Sequence, residues 1–236
     1  MIDRKRFIST LGAGMLLALC GQSALAAIGG SAAPATRYDV TIKSVEICSD
    51  ANCTTAVQVG SGTRVFDIAS ATAGADVGSY ADISGIPVGR YSHVRVTIDA
   101  QLTLVGSGSD GAIATCATGG AAGTHTATGA GVVGGTPAAQ TLFIPDENVA
   151  TFVAGAVAGP TTADYAAYNI SKPVAGGDVI ITYPLSRVID YDGTNLPLIT
   201  ITFDTQNALG VVDTSGGGPA ACEVFPRPPE VTITAN

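Results

Sequence analysis

From Tyr91 onward the apolar residues recur at every second position. Val94, Val96, Ile98, Ala100, Leu102 and Leu104 fall on one face, and His93, Arg95, Thr97, Asp99, Gln101 and Thr103 fall on the other. A sustained period of two is not that of a helix. It predicts a long strand with one buried face and one wet face. Tyr38, Val40 and Ile42 alternate likewise, and the pattern then slips by one to Val45 and Ile47. A bulge near Lys43 and Ser44 accounts for the slip, since one extra residue moves the following side chains to the opposite face.

Further strands are expected over 56–60, 63–69, 140–144, 150–154, 178–186, 198–204 and 230–234. Asp192-Gly193, between 185–191 and 198–203, reads as a hairpin turn. No amphipathic helix of normal length stands out in the mature chain; residues 161–169 offer a short helical turn at most. Between the strands lie Gly- and Ala-rich stretches. The largest, 106–137, is either a mobile surface loop or a weakly patterned hairpin anchored by Cys116. A second loop is expected over 205–222. Strands without helical crossovers argue against a parallel α/β sheet. The expected fold is all-β, a single β-sandwich of Greek-key or jelly-roll type over 27–236, with a Gly-rich insertion at about 106–138. A domain boundary inside that insertion is the alternative.

Residues 1–26 are an address rather than part of the fold. Arg4, Lys5 and Arg6 precede an apolar run from Leu11 to Cys20, and Ser23-Ala-Leu-Ala26 places small residues before Ala27. That order is a secretory signal peptide. Lys5 stands where a twin-arginine signal needs its second arginine, so the general secretory route is expected. Leu19 stands before Cys20 where a lipobox needs a small residue, so no lipid anchor is expected. The remaining chain has no apolar run near 18 residues, the length of a membrane span. The protein is expected outside the cytoplasm of a bacterium, in the periplasm, at the cell surface or in the medium.

The full chain carries a formal charge of −8, and loss of the basic leader makes it more negative. Phosphate recognition needs a basic patch, so nucleic acid is not an expected partner. Charged residues are 13% of the chain, against roughly 25% in ordinary domains. The polar surface must then be largely hydroxyl and backbone.

Four cysteines follow the leader: Cys48, Cys53, Cys116 and Cys222. An even number in an exported chain reads as disulfides, with three possible pairings. The short polar loop between Cys48 and Cys53 makes a local bridge easy, leaving Cys116 with Cys222. Zinc is the competing reading, but the spacing is not that of a zinc site and only His93 and His125 are available.

The sequence carries no nucleophile elbow, metalloprotease motif, phosphate loop or dinucleotide fingerprint. His93 sits on the wet strand face and His125 in the loose loop Gly123-Thr-His-Thr126. Asp146-Glu147 reads as a turn after Pro145. One ligand-like cluster is Asp190-Tyr-Asp-Gly-Thr-Asn195, where Asp190, Asp192 and Asn195 could offer oxygens to calcium. It lacks the full calcium-loop pattern, and a solvated hairpin turn explains it as well. No other cofactor is expected.

Residues 83–98, Ile-Ser-Gly-Ile-Pro-Val-Gly-Arg-Tyr-Ser-His-Val-Arg-Val-Thr-Ile, have a turn feeding an alternating strand. This segment resembles one in transthyretin-like and related bacterial surface β-sandwich domains. Val88 between Pro87 and Gly89 departs from the family's Pro-Gly pair. The resemblance implies a sandwich at a surface and no activity.

The function expected is non-enzymatic: a secreted or cell-surface structural subunit, fibre-like, pilus-like or part of a matrix. Its partner would be itself or another surface protein. Residues 27–36 would be a flexible leader before a strand containing Arg37, Tyr38, Val40 and Ile42. Val231 and Ile233 mark the last strand. Either end could add a strand to a neighbour's open edge. The alternatives are a module binding a small ligand, glycan or calcium, and a secreted hydrolase.

Overall fold

The computed structural model describes residues 30–70, 85–154, 158–172, 177–194 and 199–235. Residues 1–26, read as a signal peptide, lie outside these. In chain order the strands are β1 (Ser31–Ala33), β2 (Ala35–Cys48), β3 (Ala56–Asp67), β4 (Gly89–Asp110), β5 (Ile113–Ala117), β6 (Gly129–Ala130) and β7 (Val132–Val133). They continue with β8 (Gln140–Phe143), β9 (Ile170–Ser171), β10 (Val179–Tyr191), β11 (Ile199–Asp204), β12 (Leu209–Asp213), β13 (Cys222–Pro226) and β14 (Glu230–Ala235). A short helix, α1 (Thr162–Ala166), precedes β9.

The alternating run becomes β4, the spine of the molecule. Its partner along one edge is β2. Along the other edge β10 pairs with the first half and β8 with residues 101–104. The large sheet runs β3-β2-β4-β10-β9. A four-stranded sheet, β1-β12-β13-β6, and a two-stranded sheet, β11-β14, complete the antiparallel all-β sandwich.

Two cores form along the spine. In the first, Ile98, Ala100, Leu102 and Leu104 of β4 meet Ala33, Leu209, Val211 and Val224 from the four-stranded sheet. In the second, Val94 and Ile47 pack with Leu185, Ile189 and Ile233, the last from β14. Val96 touches both. Full burial of a leucine such as Leu102 or Leu104 is worth about 1.5–3 kcal/mol, so the alternating face alone supplies much of the driving force.

The bulge lies where the slip in pattern puts it. Ile42 faces Ile98 and Ser44 faces Thr97, leaving Lys43 as the extra residue. As a result Tyr38, Val40 and Ile42 serve the first core, and Val45 and Ile47 the second. The turn before β4 also forms as expected: the Tyr91 hydroxyl donates to the Pro87 carbonyl at 2.8 Å, and its buried ring joins the second core.

Both disulfides have the expected pairing. Cys48–Cys53 closes the turn after β2, and Cys116–Cys222 joins β5 to β13 across a Cα separation of 6.1 Å.

Several expectations need correction. The strands expected over 56–60 and 63–69 are one strand, β3, which carries Gly62 at φ +95°. Of the two readings of 106–137, the hairpin anchored by Cys116 is the one that forms: β4 runs on to Asp110 and turns at Gly111 into β5. Residues 205–222 contain β12 and lead into β13, which pair as a hairpin. Gly210 faces Phe225 there, and a Cβ on Gly210 would stand 2.2 Å from the ring. Residues 150–154 form no named strand, because Phe152 and Val153 are buried consecutively, in a third cluster with Val212 and Phe225. The Asp192-Gly193 turn does not make a hairpin: β10 pairs with β4 and β9, whereas β11 pairs with β14. Ser31–Ala33, within the stretch expected to be a flexible leader, form β1, which pairs with β12.

Candidate functional site

Burial of charge is costly unless the charge is paired. Among the described residues, Asp146 and Lys172 are the charged residues classed as buried. Their side chains are 5% and 0% exposed, and the Lys172 ammonium donates to Asp146 Oδ1. Mutual attraction offsets much of the desolvation of such a pair.

Local structure fixes both ends. Asp146 follows β8, and its N–H donates to the His125 carbonyl at 2.8 Å. The preceding Pro145 carbonyl accepts from the buried Tyr165 hydroxyl at 2.6 Å. Tyr165 is held by α1, which has a reciprocal cap between Thr161 and Asp164. Burial, then the charges of Asp146 and Glu147, push the Tyr165 phenol well above its ordinary pKa, so it remains a neutral donor. Lys172 immediately follows β9, which is registered against β10.

His125 completes the cluster. Its ring is 4.5 Å, centroid to centroid, from Phe143, the last residue of β8. Its Nδ1 is buried, makes no hydrogen bond and lies 3.8 Å from Asp146 Oδ1. Asp99 on the wet face of β4 also feels this imidazole. Burial works against the Asp99 charge but is outweighed by the Gln101 N–H, the Lys43 ammonium and His125, which together hold its carboxyl below the usual range. Lys43, the bulge residue, lies 3.1 Å from Asp99 and also contacts Asp178. Lys43 thus spans carboxylates from β4 and from the residue before β10.

The arrangement puts a buried amine and carboxyl beside a partly exposed imidazole, near Phe143 and Tyr165. Those are the components of proton transfer and acyl transfer. The sequence places His125 in a loose loop and Asp146-Glu147 in a turn; the chain does turn at both places, and the structure adds that Asp146 is buried with His125 beside it. No short motif could have found them, because the three residues lie at 125, 146 and 172 and meet only through the pairing of β8 and β10 with β4.

The residues singled out from sequence lie elsewhere. Asp190, with its side chain 80% exposed, faces Arg90 in register, 3.7 Å away. Asp192 Oδ1 accepts from the backbone N–H and hydroxyl of Thr194 at 2.9 and 2.6 Å, the geometry of a turn. Asn195 lies outside the described residues. No group of three or more His, Cys, Asp or Glu is arranged to hold a metal among the described residues. Arg37, Tyr38, Val40 and Ile42 lie in β2, between β3 and β4. Val231 and Ile233 lie in β14, opposite Phe203 and Ile201. His93 accompanies the Ser92 hydroxyl at 2.8 Å on the first half of β4.

Comparison with known proteins finds no matching family model, no similar curated protein and no similar solved structure. None of the helices among the described residues is long and apolar enough to cross a membrane.

Proposed function

We propose that this protein is an exported structural subunit that joins further copies of itself by strand addition at the β11–β14 sheet. The observation that carries this reading is the position of β14. Among the described residues its one ladder partner is β11, in a sheet of two strands. A strand with one ladder partner presents a second row of backbone N–H and C=O groups to another chain. Ile233 anchors β14 to the second core, while Thr232 and Thr234 are exposed. The joining segment is thus β14 rather than β2, which is paired on both edges. The disulfides and the sequence address support an oxidising location outside the cytoplasm.

Size exclusion of the exported protein over rising concentration tests this. The wild type is expected to form progressively larger species. Thr232→Lys with Thr234→Lys adds charge beside the β14 edge and is expected to hold the protein as a folded monomer. A wild type that stays monomeric throughout overturns the reading. A charged variant that assembles as well as the wild type removes β14 as the joining edge.

A further inference from the structure

We propose that Lys172 and Asp146 become joined by an amide bond, a covalent cross-link formed by the folded chain on itself. The pair is withdrawn from water, with side chains 0% and 5% exposed, and amine and carboxyl are already in contact. The step begins with transfer of a proton from Nζ to the carboxylate across this contact. The Nζ lone pair then attacks Cγ of Asp146. His125 Nδ1, which is buried without a hydrogen bond and 3.8 Å from Oδ1, takes a proton from the attacking nitrogen. It returns that proton to the departing hydroxyl. A C–N bond forms, a C–O bond breaks and one water leaves. The step is redox-neutral and needs no added reagent, and His125 ends as it began.

The bond would tie the loop after β8 to the residue after β9. Each of these short strands reaches the large sheet through a single ladder, β8 on β4 and β9 on β10. The intervening segment contains α1, whose Tyr165 already bonds to Pro145. The link would fasten that segment across the sheet, independently of whether the protein assembles.

Tandem mass spectrometry of a proteolytic digest tests the proposal on the full chain, expressed with its leader and exported. The expected result is one branched peptide carrying both residues, lighter than its two parts by the mass of one water. Lys172→Arg is expected to abolish it. Separate peptides, with Lys172 open to amine labelling after denaturation, would overturn the proposal and leave a buried ion pair. His125→Gln is expected to slow the bond's appearance at least tenfold, followed by mass in freshly folded protein. Unchanged kinetics would remove His125 from the step while leaving the bond.

Discussion

Gly131 lies directly against Cys116: a Cβ on Gly131 would stand 2.2 Å from the Cys116 sulfur. It would also stand 2.6 Å from the Cys222 sulfur, and the Gly131 N–H donates to the Cys222 carbonyl at 2.8 Å. The bridge and this glycine therefore depend on each other. Gly131→Ala forces the backbone or the bridge to move, and overpacking of this kind costs about 1–3 kcal/mol. A lowered urea midpoint, with the bridge still oxidised, is the expected observation. An unchanged midpoint would show that the contact can relax freely.

The two disulfides should differ in weight. Cys116–Cys222 spans a sequence separation of 106, and Cys48–Cys53 one of 5. On loop-closure entropy the long bridge is worth about 4–5 kcal/mol and the short one about 2 kcal/mol. Replacing each pair by serine and comparing denaturation curves should reproduce that order. Equal losses would mean that strain or residual unfolded structure, rather than loop length, decides.

Deletion of Lys43 tests the bulge. Without the extra residue, Tyr38, Val40 and Ile42 cannot face the first core while Val45 and Ile47 face the second. The deletion is expected to abolish folding, whereas Lys43→Ala keeps the residue count and should fold. A folded deletion variant would show that β2 can re-register.

These features also show how far sequence reaches. The period-two face of β4, the slip at Lys43 and the cysteine pairing all follow from local spacing, and each is present in the fold. The β12–β13 hairpin is not legible in that way. Leu209, Gly210, Val211 and Val212 are consecutively buried, so no alternation marks the strand, and glycines and serines follow it. Phe152 and Val153 show the reverse: their apolar run predicts a strand, and the two are buried side by side outside any named strand. The cluster of His125, Asp146 and Lys172 is assembled by strand pairing between distant segments. Only three-dimensional contact reveals it.

Acid sensitivity should trace to hydrogen-bonded carboxylates. The Ser215 hydroxyl, the Ser215 N–H and the Ala112 N–H, at 2.6, 2.9 and 3.0 Å, hold the Asp213 carboxyl below its ordinary pKa. The backbone N–H and hydroxyl of Thr161 do the same for Asp164. A carboxyl depressed in the folded state contributes stability that is present above its unfolded pKa, near 3.9, and is lost as pH falls through the folded value. Stability should therefore decline below about pH 4. Asp213→Asn should be less stable at neutral pH and less sensitive to acid. A wild-type curve flat through that range would contradict this.

Negative-stain microscopy of the purified wild-type protein tests the proposed role most directly. At high concentration it should show ordered fibres or sheets with a regular repeat, absent when Thr232 and Thr234 are both lysine. Dispersed single particles of monomer size at every concentration would contradict the role in assembly.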